Sequence, residues 1–165
     1  GKKTIIPPSP RDLLTDRARD LLKEAGLGYR AETVIGAALA ADKGLLNGLG
    51  DLKDEEAEDK LREIKGIGPY TARLALVLSQ RRYSLLPLDR WLKRIAQEVY
   101  GVEDVEEYLR ARWKNWCGLA VFFTTVVLDA EVLSRALKRV LAGEVKPSLQ
   151  SLKPNPLTLW MHEIC

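Results

Sequence analysis

Residues 61 to 94 read LREIKGIGPYTARLALVLSQRRYSLLPLDRWLKR, and the reading of the whole chain turns on them. Leu61 and Ile64 close one amphipathic helix, and Gly66 and Gly68 flank Ile67 in a tight turn. Pro69 suits the first position of a new helix, where an amide N–H would lack a partner in any case. Thr71, Ala72, Leu74, Ala75, Leu76 and Leu78 then recur at helical spacing. The stretch predicts a helix, a glycine-bracketed hairpin and a second helix over residues 61 to 80. Glycine permits positive φ and lets another backbone come close. The unpaired amides that open the second helix suit an anion such as phosphate.

Charge follows the hairpin. Residues 60 to 94 hold nine Lys and Arg against two acids, Glu63 and Asp89, a net +7. The whole chain carries +3, so the remainder sums to −4. Positive charge concentrated in this way is expected where phosphates dominate affinity. Asp89 stands apart, just after Pro87, at a helix start and nineteen residues beyond Tyr70. By itself it reads as an ordinary helix-capping Asp.

GIGPYTA (66 to 72) followed by PLDRWLKRI (87 to 95) resembles the core of the helix-hairpin-helix DNA glycosylases, the HhH-GPD superfamily. A second match, GLGYRA from Gly26 to Ala31, resembles a helix start common in the same superfamily. The resemblance covers roughly residues 10 to 128. It implies an all-α fold with two helical lobes around a cleft. It also implies removal of a damaged or mismatched base from duplex DNA: an oxidised or alkylated purine, or the mispaired base of a G:T or G:U pair. Lys65, Gly66, Ile67 and Gly68, with Tyr70, Thr71, Arg73 and Arg90, become the expected DNA-contacting residues. An alkali cation can bridge the turn to phosphate in relatives.

Breaking the C1′–N bond builds positive charge on the sugar. A carboxylate beneath that sugar stabilises it and can orient or deprotonate a water. The resemblance gives that role to Asp89. Tyr70 stands where members that also nick DNA carry a lysine, whose amine attacks C1′ and forms a Schiff base. A phenol is a poor substitute, so base removal without efficient strand cleavage is expected. Tyr70 then walls the base pocket or packs in the core, and Lys65 or Lys60 is the alternative nucleophile. Many relatives hold an iron–sulfur cluster on four thiolates. Two cysteines cannot supply it, which favours the 8-oxoguanine or alkylpurine branches over the endonuclease III-like and adenine-mismatch branches. Tyr29, Trp91, Trp113 and Trp116 are candidates to stack on a flipped base, although aromatics at helical spacing are more often core. His162, the single histidine, makes no metal site.

The rest of the chain reads as more helices. At 165 residues and 46% hydrophobic, it suffices for one core-bearing domain or two small lobes. Residues 1 to 9 read as extended, 10 to 143 as the helical core and 144 to 165 as a Pro-rich tail. Within the core, one helix is expected to open at Ser9-Pro10 and stop at Gly26. Others are expected over 29 to 43, from Asp54 to about Ile64, over 88 to 100 and 105 to 113, and from Asp129 to Leu141. Residues 116 to 127 are rich in β-branched and aromatic types, which favour strands, but their length and helical neighbours predict a buried helix. No apolar run approaches the roughly twenty residues that span a bilayer. Cys117 and Cys165 lie far apart, with neither disulfide framework nor zinc spacing, and an intracellular setting (cytoplasm or nucleoid) is expected. Three Gln and three Asn beside 30% charged residues hint at a thermophile. In the superfamily further helices precede such a core. Here they are expected to be absent, truncated or supplied by a separate N-terminal polypeptide completing the barrel. The alternatives to an enzyme are a non-catalytic DNA-binding module and one half of a split glycosylase.

Overall fold

A computed structural model describes residues 7 to 128 and 132 to 144. Among the described residues there are eight α-helices and three short 3₁₀ turns, and no strand. They are α1 (Asp16–Glu24), α2 (Arg30–Asp42), α3 (Asp54–Arg62), α4 (Pro69–Gln80), α5 (Arg90–Tyr100), α6 (Val105–Trp113), α7 (Cys117–Val127) and α8 (Leu133–Leu141). The chain divides into two compact units, the first ending at Ala72 and the second beginning at Arg73, inside α4.

In the first unit α2 packs on α1 and on a 3₁₀ turn, Arg11–Leu14. The expected helix from Pro10 does not run through. The Asp12 carboxylate accepts from the Ser9 N–H (2.8 Å) and the Ser9 hydroxyl (2.7 Å), which closes a local turn. Thr15 then takes an extended conformation, and its hydroxyl accepts from the Ala18 N–H to cap α1 instead. Small side chains let α2 approach its neighbours: Ala31, Ala38 and Ala40 are buried. Two exposed ion pairs, Arg11–Asp42 (2.8 Å) and Arg19–Glu32 (2.6 Å), trim its ends, each worth at most about 1 kcal/mol. α3 begins at Asp54 with Lys53 as its N-cap residue; the Glu56 side chain accepts from the Lys53 N–H at 3.1 Å.

In the second unit α5 lies against α8 around Ile95, Leu128 and Ala136, with Trp91, Val99, Leu133, Leu137 and Val140 packed beside them. α6 packs on α7, and Tyr100 is boxed by Tyr108 and Trp113. The 117 to 127 run is helical despite its β-favouring composition. Thr124 and Thr125 turn their hydroxyls back onto the Ala120 and Val121 carbonyls (3.0 and 3.3 Å), so no polar group is stranded in it. Only one face of it is deeply buried, through Cys117, Gly118 and Val121. Val132 precedes α8, three residues beyond the expected Asp129, which lies outside the described residues, as do the tail from Val145 with His162 and Cys165. No helix among the described residues is long and apolar enough to cross a membrane.

Candidate functional site

The hairpin forms as read. α3 ends at Arg62, Ile67 N–H donates to the Ile64 carbonyl (3.0 Å), and α4 opens at Pro69 with Ala72 N–H donating to the Gly68 carbonyl (2.9 Å). Its two glycines serve different ends. Gly66 has φ +93°, and a Cβ there would stand 2.1 Å from Thr33 Oγ1 and 3.2 Å from Thr33 Cβ, so the turn rests directly on α2. Gly36 lets the same helix meet Ile64, at 3.4 Å from where a Cβ would sit. Gly68 has neither constraint: its φ is not positive and nothing lies within 4 Å of its missing Cβ. The fold does not require glycine at 68, and the surface there is bare for an outside group.

Lys65, Gly66, Gly68 and Thr71 are exposed, and Ile67 and Tyr70 half-buried. Lys60 and Lys65, the alternative nucleophiles, share a cavity of about 490 Å³ with Lys43, Glu63 and Leu45. Tyr29 is 77% exposed just before α2, with the Arg30 guanidinium 5.1 Å from its ring centre. Gly26 and Gly28, both at positive φ, turn the chain into it.

Asp89 belongs to the second unit. It is half-buried and extended (φ −109°, ψ −179°), and it is the N-cap of α5. Its Oδ1 accepts from the Leu92 N–H at 2.8 Å. Among the described residues that is the carboxylate's one hydrogen bond, so Oδ2 keeps its acceptor capacity. Capping and chemistry are therefore compatible at this carboxylate. Arg90 is exposed at the first position of α5, while Arg73 is half-buried with Nη1 at 3.5 Å from the Leu86 carbonyl. Arg94 pairs with Glu98, and Lys93 lines a cleft with Glu103, Asp104 and Glu106.

The segment leading to Asp89 is fixed. Leu86 and Pro87 are fully buried. The Gly118 N–H donates to the Tyr83 carbonyl (2.8 Å), and the Cys117 thiol to the Ser84 carbonyl (3.1 Å). Burial pushes the Cys117 thiol above the ordinary cysteine range, with Arg110 opposing. Of the four aromatic candidates, Trp91 and Trp113 are packed as core. Tyr29 and Trp116 are not; Trp116 is 55% exposed and stacks on Tyr83 at 5.4 Å. Sequence reading missed Gly118, whose signal was a glycine inside an apolar helical run with no turn residue beside it.

No family model matches the chain. It is 26% identical over 90 residues to a probable N-glycosylase/DNA lyase of Methanothermobacter thermautotrophicus, a match covering 54% of this chain and 29% of that protein. It is 31% identical over 110 residues to the N-glycosylase/DNA lyase of Saccharomyces cerevisiae, covering 59% and 29%. The solved structure of MBOgg1 with a low-affinity DNA ligand superposes with a TM-score of 0.59 at 27% identity, over 69% of this chain and 42% of that one. The chain has the all-α fold of the helix-hairpin-helix (HhH-GPD) DNA glycosylases. The all-α fold of that superfamily is also seen against the Clostridium acetobutylicum 8-oxoguanine glycosylase/lyase in complex with double-stranded DNA containing cytosine opposite 8-oxoG, with a TM-score of 0.58, 23% identity, and 74% and 45% coverage. The chain spans about three-tenths of the length of the curated superfamily relatives it matches.

Proposed function

We propose that the chain is a base-excision DNA glycosylase that hydrolyses the N-glycosidic bond of a damaged or mismatched base in duplex DNA. The observation that carries this is Asp89: a half-buried carboxylate, nineteen residues beyond Tyr70, that holds its backbone with one oxygen and keeps the other. As the bond to the base lengthens, positive charge spreads over C1′ and the ring oxygen. The Asp89 carboxylate stabilises that charge and orients a water whose oxygen bonds to C1′; the departing base keeps the bonding electrons and takes up a proton.

The hairpin supplies the grip. Amides of the Gly66–Gly68 turn and of the first turn of α4 bind backbone phosphate, and Gly68 lets that phosphate come close. Lys65, Thr71, Arg73 and Arg90 add to the contact. The turn offers main-chain carbonyl oxygens, hard donors that suit an alkali cation; such a cation would shield the phosphate charge there. Tyr29, exposed beside Arg30, offers a stacking face to bases.

The named relatives are lyases as well as glycosylases. For this chain we assign base removal alone, because Tyr70 brings a phenol where a Schiff base requires an amine. The substrate class is an oxidised or alkylated purine, or a G:T or G:U mispair. A second reading follows from the share of the relatives that is matched: the base pocket needs further helices, on this polypeptide or on a separate one.

The test is base release from duplexes carrying 8-oxoguanine, an alkylated purine, or uracil or thymine opposite guanine, scored with and without alkali. Alkali-dependent breaks are expected on one class, with Asp89→Asn slower on the order of a hundredfold or more. DNA binding without base loss on any duplex would sink the enzymatic reading, unless adding a polypeptide with the earlier helices restored release.

A further inference from the structure

α7 opens without a side-chain cap, so its first amides need acceptors from elsewhere. The loop from Arg81 to Asp89 supplies one, at the Gly118 N–H. Tyr83 accepts from the Gly118 N–H, Ser84 accepts from the Cys117 thiol, and the Leu85 carbonyl lies beside Gly118. A Cβ on Gly118 would stand 2.1 Å from the Leu85 oxygen and 2.7 Å from Val77 Cγ2. Three consecutive carbonyls therefore rest on two residues of α7. Gly118 sits in a helix with no positive φ, where glycine weakens the element; close approach of the loop is what its missing side chain permits. Leu86 and Pro87, fully buried, carry the constraint onward to Asp89.

We infer that Gly118, assisted by Cys117, is the positioning residue for the Asp89 carboxylate. The start of α7 sets the seat of carbonyls 83 to 85, and the packed residues after them set where α5 begins. The inference rests on the reading of Asp89 as the reacting carboxylate, although neither Gly118 nor Cys117 touches DNA in it. A side-chain carbon does not approach a backbone atom below 3.0 Å, so alanine at 118 must move the loop by about 0.9 Å. A misplacement of about 1 Å costs on the order of a hundredfold in rate.

The experiment compares the full chain with Gly118→Ala in three measurements: single-turnover base release, affinity for the same lesion duplex, and hydrogen exchange at the Leu92 amide, which reports the Asp89 cap. The expected result is release slower by about a hundredfold, affinity within about threefold, and faster exchange confined to residues 83 to 92. Should Gly118→Ala lose its cooperative melting transition, Cys117→Ala and Cys117→Ser take its place. Alanine should slow release and speed Leu92 exchange, and serine, which keeps a donor for Ser84, should restore both. Wild-type release with unchanged Leu92 exchange overturns the inference, and so does parallel loss of binding and release with exchange raised throughout the chain. If the wild type releases no base, the enzymatic reading fails by itself, and the Leu92 exchange still decides whether Gly118 sets the cap.

Discussion

Replacing Gly66 with alanine probes the seat of the hairpin on α2. Two costs arise. A non-glycine residue at φ +93° is strained by about 1 to 2 kcal/mol. The new methyl would also stand 2.1 Å from Thr33 Oγ1, with Thr33 Cβ and Cγ2 already at 3.2 and 3.3 Å, so rotating the hydroxyl away brings the rest of the side chain no relief. Overpacking of this kind costs about 1 to 3 kcal/mol. Together the loss should be roughly 2 to 5 kcal/mol in urea denaturation, or a fall in Tm of about 4 to 20 °C for a chain of this size. A double-mutant cycle separates the two parts. Thr33→Ala removes Oγ1 and Cγ2, so combined with Gly66→Ala it should recover about 1 to 2 kcal/mol and leave the backbone strain in place. A Gly66→Ala protein within about 0.5 kcal/mol of wild type, or a cycle without coupling to Thr33, would refute the claim that the turn rests on α2.

Gly68→Ala should behave in the opposite way. Its stability should change by about 1 kcal/mol or less, while affinity for duplex DNA falls roughly tenfold to a hundredfold as a charged hydrogen bond is lost; a salt titration of binding checks it. Tyr70→Lys should introduce an amine able to form a Schiff base, giving a borohydride-trapped protein–DNA complex on the excised duplex that the wild type lacks. Cys117 should resist alkylation near pH 8, because burial favours its neutral form. For the same reason, and with the buried Tyr100 phenol also raised, stability from these groups is complete below about pH 8.5 and declines as pH climbs beyond it. A stability–pH profile in which stability rises through that window would contradict the assignment.

Much of this architecture is written locally. The turn after Lys65 and the stop at Gly101, which takes φ +64°, follow from glycine placement. The α5 start at Asp89 follows from an Asp three residues before the amide it caps. The helix expected from Pro10 failed because two short-range solutions compete there. Asp12 folds back on Ser9, and Thr15, which reads as a mid-helix residue, is the better cap. The aromatic residues show the other limit. Trp91 and Trp116 both sit beside helical runs, but only packing between distant segments decides that the first is core and the second stacks on Tyr83 at the surface. The same holds for Gly118, whose meaning lies in carbonyls more than thirty residues earlier in the chain.

The division of contacts has a bearing on biosynthesis. In the first unit α1, α2 and the turn before them, which pack together, are neighbours in sequence, and such local contacts form fast. The second unit closes only when α5 finds α8. As the chain leaves the ribosome, N-terminal segments fold first. A nascent chain stalled before Cys117 would therefore already hold α2 and the segments it packs on, while Asp89 still lacked the helix that seats its loop.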